Sequence, residues 1–320
     1  MKICVAGIGG VGGFIAAMLN RKGPDQLTLL ARGKRKEHLL QNGLTVHSEM
    51  HGELKSGAFR KVTDGSDETE VQDLIFVCVK NYSLEEVCGQ LQPMVGAETI
   101  LVPVMNGVEA GNVLRGRFPE AAVADGLIYC NISAEPDFSV EQRGSYVRVF
   151  IGSRTKDARH EEAAKKAVQI LLDAEIECHY SADIEAAIWK KYILNCAYNT
   201  TTARFGMTSG ELRQDEDKIR DFEQLLQEAY DVAVKAGVAV ANTVVAEHKI
   251  LLMQKQPENA TSSLKGDLWA GRTIELDAFT GALIRKAEEV GVDVPKTREY
   301  HEAIMKLYRE IQAGQDKRED

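Results

Sequence analysis

The feature that most constrains this chain is a glycine-rich turn close to its start. The sequence Gly7-Ile8-Gly9-Gly10-Val11-Gly12 fits the pattern G-x-G-x-x-G. The β-branched segment Lys2–Ala6 predicts a strand before the turn, and Gly10–Lys22 predicts an apolar helix after it. A glycine turn between a strand and a helix is typical of a site for the pyrophosphate of a dinucleotide, because the helix N-terminus offers free N–H groups and a partial positive charge.

Each of the three glycines that define the pattern has its own physical role. Gly7 allows the tight turn, Gly9 lets a pyrophosphate approach the backbone, and Gly12 lets the helix pack against the strand. The short pattern alone is weak, since glycine is common. Its place between a strand and a helix is what favours a ligand over a simple turn.

The end of the second predicted strand indicates which dinucleotide is bound. NAD sites carry an Asp or Glu there to hold the ribose 2′-hydroxyl. This chain has Ala31-Arg32-Gly33-Lys34-Arg35 instead. Because a guanidinium binds a 2′-phosphate through two hydrogen bonds, we predict NADP(H), with Arg32 as the main contact and Lys34 or Arg35 in support.

Strands and helices alternate before residue 180, and this pattern predicts an α/β domain over residues 1–180. We expect a doubly wound, parallel or mixed sheet with helices on both faces. The predicted strands are Lys2–Ala6, Gln26–Ala31, Leu74–Val79, Thr99–Pro103, Ala121–Ile132 and Tyr146–Ile151, and the predicted helices are Gly10–Lys22 and Lys34–Gln41.

Residues 181–320 have a helical period almost throughout, which predicts a second, all-helical domain. Gly237 and Gly291 occupy expected helix C-caps, and Pro295 is expected to open the last helix. The predicted helices are Ile184–Thr202, Asp217–Ala236, Asn242–Gln254, Leu276–Val290 and Thr297–Gln312.

Charge and composition exclude several classes of function. The formal net charge is −9, which disfavours nucleic acid and anionic membranes as partners. The apolar run Leu74–Val79 is too short to span a bilayer, and no targeting segment is evident. The six cysteines are scattered without a C-x-x-C, so we expect reduced thiols, no metal site and a cytoplasmic protein.

Two polar positions follow predicted strands at the edge where ligands bind in such sheets. Lys80 ends the apolar strand, and Asn106 precedes Gly107 after the next strand. A lysine there also suits a surface cap, and Asn-Gly is typical of a tight turn. The carboxyl edge of a parallel sheet nevertheless makes both residues candidates for cofactor or substrate contact.

A polar stripe opens the helical half. Lys191, Asn195 and Asn199 are spaced by four residues and therefore share one face of a helix. Their neighbours, such as Trp189 and Tyr192, are mostly apolar. A polar stripe on a mostly apolar helix predicts a buried stripe with a partner rather than a solvent face.

These segments together resemble the ketopantoate reductase (2-dehydropantoate 2-reductase) family over nearly the whole chain. The resemblance rests on the sequence segments Gly7–Gly12, Val79-Lys80, Asn106-Gly107, Trp189–Asn199, Ser262-Ser263-Leu264 and Gly271–Asp277. The family's fold is a Rossmann-type domain followed by an all-helical domain. Its members reduce ketopantoate to pantoate with NADPH on the route to pantothenate and coenzyme A.

The resemblance implies a role for each matching position. Lys191 matches the catalytic lysine, and Glu275 matches a glutamate near it and the cofactor ribose. Asn195 and Asn199 match residues that position the substrate, and Ser263 matches a serine that binds its carboxylate. Three further positions match residues on the cofactor side of the site: Arg32, Lys80 and Asn106. The residue that Asn106 matches contacts the substrate as well.

The implied chemistry is sound. Negative charge develops on the carbonyl oxygen as hydride arrives, and a lysine with a reference pKa of about 10.4 is charged at neutral pH and can donate the proton. None of the seven histidines falls in these motifs, which disfavours a histidine–aspartate proton relay.

The sequence departs from some relatives at two substrate-contacting positions, where Ser209 and Ala260 stand in place of asparagines. A same-fold reductase of another 2-oxo acid therefore stays open. A non-catalytic NADP(H) sensor is a third possibility, although it leaves Lys191 unexplained. A homodimer is possible.

Overall fold

The computed structural model describes residues 1–67, 70–155 and 157–319. The chain divides into two compact units, Met1–Ile184 and Glu185–Asp320. The first unit contains the described strands: β1 (Ile3–Ala6), β2 (Leu27–Leu30), β3 (Leu44–Ser48), β4 (Gly52–Ser56), β5 (Lys61–Thr63), β6 (Leu74–Val77), β7 (Ile100–Pro103), β8 (Ala122–Val123), β9 (Asp125–Ala134), β10 (Val140–Gly152) and β11 (Glu177–Tyr180).

The main sheet of the first unit has six strands in the order β5-β2-β1-β6-β7-β8, and all of its pairs are parallel. Val5 of β1 lies opposite Leu29 of β2 and Phe76 of β6. Such strands are apolar on both faces because both faces are covered. The order reverses between β1 and β6, the position at which open α/β sheets bind their ligands.

The two faces of this sheet belong to two hydrophobic clusters. Ile3 and Val5 face one cluster, and Cys4 and Ala6 face the other, as the two-residue period of a strand requires. Helix α1 packs in the first cluster, and α3 and α4 pack in the second. The helices of this unit are α1 (Gly10–Asn20), α2 (Gly33–Asn42), α3 (Leu84–Leu91), α4 (Ala110–Arg117) and α5 (Ala158–Asp173), with short 3-10 turns at Pro24–Gln26, Asn81–Ser83 and Gln92–Met94.

A second sheet, which the sequence analysis did not predict, covers part of the α1 side. It joins β11, β10, β3 and β4 in that order, and β9 pairs antiparallel with β10. The predicted strand Ala121–Ile132 divides into β8 and β9, which belong to different sheets. The predicted strand Tyr146–Ile151 is only the end of β10, because a bulge between Arg143 and Arg148 lets the strand continue from Val140.

The second unit is helical in the described residues, as predicted. Gly291 caps its helix with φ 71°, and Pro295 opens the last helix. None of the described helices is both long enough and apolar enough to cross a membrane. The helices are α6 (Ile184–Phe205), α7 (Ser209–Leu212), α8 (Glu216–Lys235), α9 (Val244–Ile250), α10 (Ser263–Trp269), α11 (Ala282–Val290) and α12 (Pro295–Glu319), with π-turns at Leu251–Lys255 and Asp277–Gly281.

A buried carboxylate fixes the start of α12. Glu228 of α8 is 7% exposed and accepts hydrogen bonds from the backbone N–H of Lys296 at 2.9 Å and of Thr297 at 2.8 Å. The Thr297 hydroxyl donates to the same carboxylate at 2.8 Å. These N–H groups lie in the first turn of α12, where they have no partner within the helix. Glu228 therefore joins α8 to the last helix by satisfying its open end.

We expect Glu228→Ala to lower the free energy of unfolding by about 2–4 kcal/mol, because it leaves buried donors without an acceptor. Urea unfolding followed by circular dichroism measures the change. Glu223→Ala is the matched control on the same helix, since Glu223 forms an ion pair with Lys249 near the surface and should cost less than about 1 kcal/mol. Equal losses for the two variants would contradict the assignment.

Candidate active site

The glycine turn has the backbone geometry that its sequence predicts. Gly7 has φ +90°, and a Cβ there would lie 2.5 Å from Val79 Cγ1. A Cβ on Gly12 would lie 1.9 Å from the Gly7 carbonyl oxygen, so α1 reaches β1 only because that atom is missing. A Cβ on Gly9 would meet nothing within 4 Å. Packing within the protein thus accounts for Gly7 and Gly12, whereas Gly9 borders open space at the N-terminus of α1.

The loops after β6 and β7 are tied to each other beside this turn. Asn81 Nδ2 donates to the carbonyl oxygen of Asn106 at 2.9 Å. Gly107 has φ +87°, in agreement with the predicted Asn-Gly turn. Lys80 precedes the 3-10 turn, and its carbonyl accepts the Ser83 N–H at 2.9 Å. The structure therefore places Lys80 and Asn106 on neighbouring loops at one edge of the sheet. Sequence reasoning did not assign a role to Asn81.

Arg32 stands at the end of β2, as the N-cap of α2, and is about half exposed. Its Nη2 donates to Ser83 Oγ at 3.3 Å, and its Nη1 pairs with the Glu86 carboxylate. Lys34 is exposed. Arg35 turns inward and donates to the carbonyl of Phe138, and burial lowers the pKa of its guanidinium to about 10. Arg32 and Lys34 thus face solvent at the strand end, whereas Arg35 is occupied by the β9–β10 turn.

The predicted polar stripe lies on α6, the 22-residue helix at the start of the second unit. Lys191 and Asn195 are half-buried, and Asn199 is buried at 7% exposure. The stripe that the sequence predicted to be buried is thus buried at Asn199 and half-buried at Lys191 and Asn195.

The segment that carries Glu275 is fixed against the same helix. Glu275 is buried at 5% exposure just before the π-turn Asp277–Gly281. Within that turn, the carbonyl of Phe279 accepts the Tyr192 hydroxyl at 2.5 Å and the Cys196 thiol at 3.8 Å. Backbone hydrogen bonds in a π-turn span five residues instead of four, and here side chains of α6 donate to the Phe279 carbonyl. Residues next to Lys191 and Asn195 therefore hold the glutamate segment in register.

The start of α10 is fixed further along α6. Ser262 is the N-cap, accepting the Lys265 N–H at 3.1 Å, and its hydroxyl lies 2.8 Å from Thr202 Oγ1 and 3.4 Å from the Asn199 carbonyl oxygen. Ser263, the first residue of the helix, is exposed. Ser262 thus has the structural role, and Ser263 is presented beside the Asn199 end of the stripe.

Ser209 and Ala260, the two positions that the sequence analysis set apart, are neighbours in space. The Ser209 N–H donates to the carbonyl of Ala260 at 2.8 Å, and the Ser209 hydroxyl lies 2.7 Å from the Tyr198 hydroxyl. Ser209 is fully buried. The serine side chain is therefore engaged by α6, and the alanine offers only a methyl group where an asparagine would offer an amide.

Helix α9 holds α6 immediately before Lys191, a contact that the sequence did not reveal. His248 Nε2 bonds to the Lys190 carbonyl oxygen at 2.8 Å, and Glu247 pairs with the Lys190 ammonium at 2.5 Å. His248 is 5% exposed. Lys190 on one side and Tyr192 on the other thus restrain the backbone that carries Lys191.

His248 predicts a pH dependence of stability. Burial lowers the pKa of its imidazole below the usual 6.5, and the Lys190 charge acts in the same direction, against the hydrogen bond to the Lys190 carbonyl and the Glu247 charge. The unfolded chain therefore takes up the proton first, so stability is intact above pH 6.5 and falls as the pH drops below it. The slope is at most about 1.4 kcal/mol per pH unit for one group.

We expect His248→Gln, which keeps an N–H donor, to flatten the loss of unfolding free energy between pH 7 and pH 5.5. His51 and His301, whose pKa burial also lowers, contribute to the slope that remains. Urea unfolding of both proteins at each pH measures the two slopes. A His248→Gln slope that matches the parent would refute the assignment.

Comparisons with known proteins agree on one family. A family model described as ketopantoate reductase PanE/ApbA matches residues 3–156, and one described as its C-terminal part matches residues 183–312. The uncharacterized oxidoreductase YkpB of Bacillus subtilis (strain 168) is 30% identical, over 92% of this chain and 95% of the relative. A 2-dehydropantoate 2-reductase of Mesorhizobium japonicum is 27% identical, over 97% of this chain and 98% of the relative.

A solved structure, D-mandelate dehydrogenase with NADH and anilino(oxo)acetate, superposes with a TM-score of 0.88 at 21% identity, over 97% of this chain and 99% of that one. It supports the fold alone. The family models span both compact units, and the relatives match along almost their full length. The chain belongs to the ketopantoate reductase PanE/ApbA family, and it is an oxidoreductase of that family.

Proposed function

We propose that this protein reduces 2-dehydropantoate (ketopantoate) to pantoate with NADPH. The observation that carries the proposal is the restraint of Lys191 on α6. Its two sequence neighbours are bonded to α9 and to the π-turn that follows Glu275. A lysine whose backbone is restrained on both sides, on a helix that also carries two asparagines, is better suited to donate a proton than to serve as a surface charge.

The first unit fits a dinucleotide. The open space at Gly9, at the N-terminus of α1, is a cradle that a side chain would fill. Gly7, Ile8, Gly9, Gly10, Val11 and Gly12 would hold the pyrophosphate through backbone N–H groups. Lys80 and Asn106 would contact the nicotinamide side. The half-exposed Arg32 would bind the adenosine 2′-phosphate.

The cofactor, when bound, supplies the hydride. In this proposal Lys191 donates the proton to the carbonyl oxygen and stabilises the charge that develops there. Glu275, a buried carboxylate, favours the charged form of that lysine. Asn195 and Asn199 orient the substrate by neutral hydrogen bonds, and Ser263 binds its carboxylate.

The rest of the proposal concerns where the enzyme acts and what it binds. We infer a cytoplasmic role in pantothenate and coenzyme A synthesis, a small 2-oxo acid as substrate, no nucleic-acid or membrane partner, and a homodimer. Sedimentation velocity would test the oligomeric state directly.

Two glycine substitutions separate cofactor binding from folding. Gly9→Ala puts a methyl group into open space and should leave the melting temperature nearly unchanged while weakening NADPH binding more than about tenfold, by obstructing the pyrophosphate. Gly12→Ala drives a methyl group into the Gly7 carbonyl and should destabilise the fold itself. Thermal melts and NADPH fluorescence titration measure both. Undiminished NADPH binding by Gly9→Ala would contradict the assigned cradle.

A panel of 2-oxo acids tests the reaction. Purified protein with NADPH should consume ketopantoate fastest, measured by the loss of NADPH absorbance. Lys191→Ala should lower kcat by about 10²–10⁴-fold, as expected for loss of a general acid, while NADPH still binds. Lys190→Ala is the matched control on the adjacent residue. It keeps the backbone carbonyl that His248 holds and loses only an exposed ion pair, so it should stay within a few-fold of the parent. A lack of turnover with every 2-oxo acid in the panel would contradict the proposed reductase activity.

A second candidate substrate has an observation in its favour. The Ser209 hydroxyl is engaged by Tyr198, and Ala260 lacks a side-chain hydrogen-bond group. A site with less hydrogen-bonding capacity suits a 2-oxo acid with an apolar group in place of the hydroxyl that ketopantoate carries. One solved structure with this fold is described as D-mandelate dehydrogenase with NADH and anilino(oxo)acetate, an oxo acid that carries an aromatic group. The oxidised form of mandelate therefore belongs in the panel, and a preference for it over ketopantoate would select this alternative.

A further inference from the structure

A carboxylate stands directly against the guanidinium that we assign to the 2′-phosphate. Arg32 Nη1 pairs with Glu86, and Nη2 of the same side chain donates to Ser83 Oγ at 3.3 Å. Glu86 lies in the first turn of α3, and Ser83 is the residue before that helix. The end of β2 is thereby joined to the loop that follows β6.

This arrangement combines the features of two kinds of dinucleotide site. An arginine fork at the end of the second strand binds a 2′-phosphate, whereas a carboxylate there accepts a hydrogen bond from a ribose 2′-hydroxyl. Here the cation stands at the end of β2 and the anion in the first turn of α3.

A 2′-phosphate and a ribose 2′-hydroxyl would affect the ion pair between Arg32 and Glu86 differently. A phosphate must displace Glu86 from Arg32 or bind beside a like charge, and each of these weakens NADPH binding. A ribose 2′-hydroxyl carries no charge and donates to a carboxylate that Arg32 already holds in place. The pair is half exposed, with side-chain exposures of 54% for Arg32 and 52% for Glu86, so a nucleotide at the sheet edge has access to it.

We propose that Glu86 sets the cofactor preference of this protein, lowering its affinity for NADPH and raising its affinity for NADH, so that it uses both. This inference rests on the proposed binding of a nicotinamide dinucleotide. It assigns to Glu86 a specificity-determining role through Arg32, with Ser83 fixing the other side of the guanidinium.

The adjacent residue provides a matched control. Glu85 also lies in the first turn of α3 and carries the same charge, but its partner is Arg117 of α4, whose Nε donates to it at 3.0 Å. Glu86→Gln and Glu85→Gln therefore change the net charge equally, but the first releases Arg32 and the second releases Arg117.

The test is a titration of NADPH and NADH, followed by their fluorescence, at low salt. Glu86→Gln should tighten NADPH binding about three- to tenfold and weaken NADH binding by a similar factor, while Glu85→Gln should change either by less than about twofold. The gain for NADPH should vanish in an Arg32→Ala background, because the effect acts through that guanidinium. It should also shrink as salt is raised.

The outcomes distinguish this inference from the proposed function. Tight NADPH binding with a preference over NADH that Glu86→Gln leaves unchanged overturns the role of Glu86 alone. A gain for NADPH that persists in the Arg32→Ala background does the same, since it reports general charge. Failure of the parent protein to bind either dinucleotide overturns the proposed function, and the inference with it.

Discussion

The contact between Gly12 and the Gly7 carbonyl is the constraint on which the first unit depends. With a Cβ at only 1.9 Å from that oxygen, no other residue permits α1 to lie so close to β1. Since β1 is a central strand and α1 contacts both sheets, the closeness of this one helix determines how the second sheet can cover the first. The same contact directs the open N-terminus of α1 toward the edge where Lys80 and Asn106 lie.

The second unit is organised around a different problem, the burial of polar groups within α6. Thr200, Thr202 and Asn199 are all nearly inaccessible to solvent. Thr200 and Thr202 donate back to carbonyls one turn earlier in their own helix, and Ser262 completes the group from α10. Buried polar networks of this kind specify one arrangement because an alternative packing leaves donors unsatisfied. The candidate catalytic residues therefore lie on a helix whose position is defined by hydrogen bonds as well as by apolar contacts.

Local patterns predicted much of this protein, and distant pairings explain what they missed. Strand β6 and the helix period of α6 follow from unbroken local signals, and the family follows from segments such as Trp189–Asn199. The second sheet escaped prediction because β3 and β4 are short, partly exposed and stabilised by β10, which lies about a hundred residues away. The π-turn before α11 carries the same apolar period as a helix, so the sequence does not mark it.

Sequence reasoning selects candidate site residues by their type, whereas the partners of these residues come only from the structure. Arg32 could be chosen from the cations after β2, but the Glu86 that pairs with it lies 54 positions later and carries no motif. In the same way, the adjacent serines Ser262 and Ser263 look equivalent in sequence, and only the capping of α10 separates the structural one from the exposed one.

Helix α6 carries residues that anchor the neighbouring segments and residues that we assign to the reaction. This separation affects how the sequence of such a protein can change. Lys190, Tyr192 and Tyr198 hold the surrounding segments, whereas Lys191 and Asn195 belong to the candidate reaction. Anchoring and chemistry thus fall on different side chains of one rigid element. Substitutions at the candidate substrate contacts can therefore accumulate without loosening the packing of α6, so the substrate of the candidate site can change more readily than the helix that carries Lys191.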